Sequence, residues 1–137
     1  MSADGTYLQD LPRGECLRLL MTAGVGRIIY TRQALPAVEV VNFAIEGGDI
    51  VIRTSPSGKL SAAIRGAVVA FEADCLDSAD KTGWSVTAVG RSREVTDPAD
   101  IDRLTRIGLT SWARGDRDHF IRITPQILNG RALRTAP

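Results

Sequence analysis

Short apolar runs alternate with polar punctuation along the chain, and the period of each run predicts its element. Residues 1 to 10 are polar and predict a flexible N-terminus. Leu17, Leu20, Met21 and Gly24 recur at helical spacing, and Pro12 suits a first turn, so residues 12 to 23 predict a helix. Residues 25 to 31 read as a strand. A turn over 32 to 36 leads to a second strand over 37 to 45. Gly47-Gly48 signals a hairpin, with residues 49 to 54 as the returning strand.

A short helix over 57 to 65 would place Leu60, Ala63 and Ile64 on one face and end at Gly66. Residues 67 to 73 form an almost wholly apolar strand and 77 to 82 a polar loop. Residues 84 to 95 form a long strand that Gly90 can bend. Asp97-Pro98-Ala99-Asp100 starts a helix, with an N-cap, a first-turn proline and an acidic first turn. Ile101, Leu104 and Gly108 share its face. Residues 120 to 124 and 126 to 131 close the chain as a strand pair or one bent strand. About six strands and three short helices, mostly hairpin-connected, predict a mainly β fold. It is a small antiparallel barrel with peripheral helices, one domain over residues 11 to 137. So small a barrel has little interior beyond its side-chain core, so a ligand belongs on its outer face or at a subunit boundary.

Composition narrows the function classes. The 137 residues carry a net charge of +1, with no basic cluster interleaved with aromatics, so nucleic acid is not an expected partner. No apolar run approaches the roughly 20 residues that span a bilayer, and no cationic-then-apolar start suggests a signal peptide. Cys16 and Cys75 lie in apolar patterns and read as buried small hydrophobes, which fits a cytoplasmic location. Metal-ligand spacing is absent. His119 is the only histidine, and nothing around it resembles a nucleophile elbow.

The chemistry concentrates in RTSPSGKL, residues 53 to 60, between a strand and a helix start. A helix N-terminus offers unpaired N–H groups to a phosphate. Thr54, Ser55 and Ser57 add hydroxyls, Gly58 admits close approach, and Arg53 and Lys59 add charge. A P-loop is excluded, because Arg53 stands where its first glycine belongs and Leu60 follows the lysine. On these residues alone, a phosphate cradle and a plain helix cap both remain open.

The order of segments resembles the pyridoxamine 5′-phosphate oxidase-like family, the FMN-binding split barrels, and most of all its small actinobacterial members. The similarity covers roughly residues 11 to 134. It rests on ECLRLLMTAGVGRIIY, PAVEVVNFAIEGGDIVIRTSPSGKL, VVAFEAD, GWSVTAVGRSREV and ITPQILNGRAL, in that order. The resemblance implies a six- to seven-stranded antiparallel split barrel. It also implies a homodimer with FMN at the subunit interface. Arg53, Thr54, Ser57 and Lys59 would then lie near the phosphate and ribityl chain, and Val41, Asn42 and Phe43 beside the ring. Trp84, from the same or the partner subunit, is a further candidate, with ordinary packing as its alternative. Arg27 and Arg91 are possible sources of positive charge near the ring. The chain departs from true pyridoxamine phosphate oxidases in two places. Gly58, rather than arginine, precedes Lys59, and the ending NGRALRTAP has no histidine. The implied function is therefore an FMN-dependent oxidoreductase acting on a small acceptor. The alternatives are a deazaflavin-dependent reductase on the same fold and a flavin-binding or regulatory protein without turnover.

Overall fold

The computed structural model describes residues 5 to 54, 64 to 109 and 119 to 135. In chain order the elements are β1 (Thr6–Leu11), α1 (Arg13–Thr22), β2 (Val25–Arg32), β3 (Leu35–Glu46) and β4 (Asp49–Thr54). Then come β5 (Val68–Asp77), β6 (Thr82–Glu94), α2 (Pro98–Thr105) and β7 (His119–Thr135). All strand pairs are antiparallel, in the order β1-β7-β4-β3-β2-β5-β6, and β6 pairs again with β7. Strands β2 to β7 therefore close a ring, and β1 adds to the edge of β7. This is the predicted mainly β split barrel. The predicted helix over 57 to 65 falls mostly outside the described residues. Its last turn is seen at Ile64, and Gly66 follows with φ +69°.

Two expectations change. Residues 6 to 11 are not frayed. Thr6–Leu11 pairs residue for residue with Gly130 to Thr135 of β7. A polar strand can do this because its partner supplies backbone hydrogen bonds, not an apolar face. The two C-terminal runs are one strand, with Gln126 as an unpaired bulge residue between Ile127↔Val89 and Pro125↔Gly90. Pro125 is tolerated because it sits at that bulge.

Alternation sets the interior. Ile28 and Tyr30, Val41 and Phe43, Ile50 and Ile52, Phe71 and Ala73, Val86 and Ala88, and Ile121 and Ile123 all point inward. Phe43 meets Phe71 edge-on with centroids 4.8 Å apart. Helix α1 adds Cys16 and Leu20 to this core. Cys75, expected inside, is exposed, because it sits near the β5–β6 hairpin, beyond the core. Outside the ring, Leu104 of α2 packs on Val51 and Phe120 in a second cluster. Asp97 caps α2 as predicted, accepting from the Ala99 N–H at 3.0 Å. No helix among the described residues is long and apolar enough to cross a membrane.

An ionic lattice ties α2 to the β3–β4 hairpin and to β7. Glu46 accepts from Arg103 at 2.7 Å and from Arg122, while Arg122 also reaches Asp49 at 3.2 Å. The Arg103 and then the Arg122 hydrogen bonds hold the Glu46 carboxyl down at about 2. Its folded value lies below its unfolded one, so its contribution is complete above the ordinary carboxylate range. That contribution is lost as pH falls toward about 2. The melting-temperature gap between wild type and Glu46→Gln should therefore narrow steadily when melts are run from about pH 6 down to about pH 2.

The β2–β3 turn offers a second test. Gln33 and Ala34 both take positive φ, 52° and 65°, without being glycine. The mirror-image turn that matches strand twist requires this at both central positions. Ala34→Gly should raise stability by about 0.5–1 kcal/mol in chemical denaturation, by relieving left-handed strain.

Candidate functional site

The site begins where β4 ends. Strand β3 has twelve residues and β4 six, and their pairing stops at Phe43↔Ile52. From Leu35 to Val41, β3 pairs with β2 on one side only, among the described residues. Its second edge there presents backbone N–H and C=O groups that need partners. Asn42 and Arg53 lie one step beyond the last β3–β4 pair, on the outward face of neighbouring strands. Around them, Val25, Val38 and Val40 are 44%, 62% and 48% exposed. An open backbone edge, an apolar outward surface and a guanidinium thus meet at one place. Planar ring, hydrogen-bonding edge and anionic tail are the matching ligand features.

Arg53 is held in position. Its Nη1 donates to the Leu109 carbonyl at 3.1 Å, and the guanidinium lies over the Phe120 ring, 5.3 Å from the centroid. Thr54 is buried beside His119, its partner on β7. Val41 and Phe43 are core residues, so only backbone could serve a ligand outside the ring, and at Phe43 the N–H already donates to the Gly24 carbonyl at 3.1 Å while the residue pairs with Ile52. Ser57 and Lys59 lie outside the described residues.

Trp84 does not join this group within the chain. It pairs with Cys75 and Ala132 at the start of β6, whereas the Arg53 end of the barrel lies beside Glu94 and Ile121. Ten strand residues, roughly 33 Å at about 3.3 Å each, separate the two ends. Arg27 is drawn to Glu72 at 3.0 Å and Asp74 at 3.3 Å. Burial pushes the Glu72 carboxyl above its ordinary value, and the nearby Asp74 adds to this. Arg91 donates to the Gly66 carbonyl at 2.5 Å.

The structure adds a group that sequence patterns did not single out. His119 is buried, with Nδ1 3.2 Å from Glu94 Oε1, and Arg65 Nε lies 3.6 Å from Glu94 Oε2. The Ser92 hydroxyl donates to the Ile64 carbonyl and the Ala67 carbonyl takes the Ser92 N–H at 2.8 Å. The end of β6 therefore straps down the chain just after residues 55 to 63, while His119 flanks its entry at Thr54. The available signal was positional: His119 opens an apolar strand, so its side chain had to be buried or paired.

A family model for pyridoxamine 5′-phosphate oxidase matches residues 12–132. The chain belongs to that family. Within reach of it is an uncharacterised protein of Mycobacterium tuberculosis, 40% identical over 126 residues, covering 88% of this chain and 82% of the relative. Among solved structures, the FAD binding protein from Mycobacterium smegmatis is 29% identical with a TM-score of 0.74. It aligns with 93% of this chain and 100% of its own. A FAD-binding protein from Mesorhizobium loti shares the fold at 23% identity and a TM-score of 0.75, over 92% and 98% of the two chains. Both solved structures share the fold of this chain.

The Arg53 contacts predict a structural as well as a binding role. Arg53→Ala should destabilise the ligand-free protein by about 1–2 kcal/mol in denaturant melts, through loss of the Leu109 hydrogen bond and the Phe120 contact. Unchanged stability would show that neither contact forms in solution.

Proposed function

We propose that the chain binds a flavin nucleotide at the open β3 edge and uses it to reduce a small acceptor. The observation that carries this reading is the match of 93% of this chain to the whole of a solved structure named as an FAD binding protein. The meeting of the open edge, exposed valines and Arg53 supports it. FMN is the cofactor we favour, since ring, ribityl chain and first phosphate are common to FMN and FAD. Arg53, Ser57 and Lys59 would hold that phosphate, with the Ser57 N–H side contributing if it caps a helix. Backbone groups around Val41 and Asn42 would hold the ring's polar edge, and Val38 and Val40 its face.

Bound there, the flavin would supply hydride or electron transfer to a small unsaturated, nitro or quinone-like acceptor. The chain's own residues orient it and limit water at its face. The exposed apolar positions Val25, Val38, Val40, Val68 and Ile127 lie on the outer sheet surface. A second copy covering them would form a homodimer with a flavin site at each subunit boundary.

The test is titration of flavin-free protein with FMN, FAD and riboflavin. FMN or FAD should saturate, and riboflavin should bind about tenfold or more weakly, because it lacks the phosphate. Lys59→Ala should cost about 1.5–3 kcal/mol of FMN affinity and leave riboflavin unchanged. Failure of every flavin to saturate would sink the proposal. Oxidation of a reduced nicotinamide with an artificial acceptor then distinguishes an enzyme from a carrier.

A further inference from the structure

The far end of the barrel holds a cavity of about 470 Å³ between α1 and the first residues of β6 and last of β7. Its volume lies within the range of small-molecule sites. Trp84, Leu19 and Leu133 supply its apolar surface, and Glu15, Arg18 and Arg134 its charge. Trp84 packs its inner side on the barrel core yet is only partly buried. Its indole N–H has no hydrogen-bond partner among the described residues, and no buried side-chain polar atom there is left unsatisfied, so this donor faces open space. Buried tryptophans ordinarily place that donor on a partner.

The charges are unequal. Arg18 closes on Glu15 at 2.9 Å and 2.5 Å, a two-pronged pair that holds the Glu15 carboxyl below its ordinary value. That carboxylate is already matched. Arg134 donates to the neutral Gln9 amide oxygen at 2.5 Å and adds a weaker pull on the Glu15 carboxylate from a distance. The lining thus sets two guanidiniums against one carboxylate, beside an indole donor and an aromatic face.

The geometry points to a second ligand site, distinct from the flavin edge, that takes a small planar aromatic carboxylate. The ring would lie against Trp84 and Leu19, and the carboxylate would accept from Arg134 and the indole N–H. A neutral ring forfeits the charged contact, and an aliphatic acid forfeits the stacking. Both ends of the barrel are then binding ends, separated by the length of β6.

The experiment uses full-length protein saturated with FMN, or untreated if no flavin binds. The probes are 1-naphthoate and its neutral isostere 1-naphthamide, followed by calorimetry and by the Trp84 indole N–H resonance. Naphthoate should bind once per chain, at about 1 mM or tighter, and shift that resonance. Naphthamide should bind about tenfold more weakly, and Arg134→Gln should erase the difference between the two probes. Trp84→Leu should abolish naphthoate binding while leaving FMN affinity unchanged. Arg134 is exposed, so its variant tests the site even if Trp84→Leu misfolds. Absence of saturable binding overturns the inference. So does competition between naphthoate and FMN, or loss of FMN affinity in folded Trp84→Leu, since either would assign Trp84 to the flavin.

Discussion

Everything in this barrel depends on one strand having two usable edges. β7 runs for 17 residues. One edge pairs with β6 from Ile121 to Leu133. The other serves β4 over His119 to Ile123, then β1 over Gly130 to Thr135. Without β7, three strands lose a partner, and β6 becomes a long open edge of the kind that invites aggregation. Such a strand must bend between its two duties, and the bulge at Gln126 supplies the bend. Gly90 opposite has no alternative, because a Cβ there would sit 2.1 Å from the Thr124 carbonyl oxygen.

The same closure generates the site. β4 is short, so β7 turns away from it after five paired residues, and β3 continues from Phe43 back to Leu35 with β2 as its strand partner among the described residues. The gap is a consequence of unequal strand lengths, not of a missing interaction. Backbone groups exposed in this way are aimed by the sheet itself, which makes them more rigid than loop donors. Arg53 sits at the corner and is pre-positioned by a carbonyl and a ring. Less side-chain freedom is then lost when an anion arrives.

Most of the fold was legible because each strand buries one face. Alternation at 28 and 30, 41 and 43, and 50 and 52 carried the barrel, and the glycine pair at 47 and 48 carried the hairpin. The failures share a physical cause. TYLQDL lacks an apolar face, since an added edge strand is held by backbone bonds that no side-chain pattern reports. Arg53 stood out as a candidate by its loop chemistry and Asn42 only through the family resemblance, and the strand register sets the two side by side. Trp84, named by the same resemblance, lies the length of β6 away from them within the chain. His119 escaped because its role depends on Glu94, a residue 25 positions away brought near only by the β6–β7 pairing.

Charge is organised on the same local scale. A chain of net charge +1 has no overall field to draw an anion, so any anion site must arise from individual cations. Over half of its described arginines answer carboxylates: Arg18 to Glu15, Arg27 to Glu72 and Asp74, Arg65 to Glu94, Arg93 to Asp49, Arg103 to Glu46 and Asp100, Arg106 to Asp102, and Arg122 to Glu46 and Asp49. These pairs stitch neighbouring elements while cancelling their own fields beyond a Debye length. Other arginines hold backbone instead: Arg53 donates to the Leu109 carbonyl, Arg91 to the Gly66 carbonyl and Arg13 to the Pro125 carbonyl. Charge in this near-neutral chain is therefore used locally, on element-to-element contacts, and not on a long-range field.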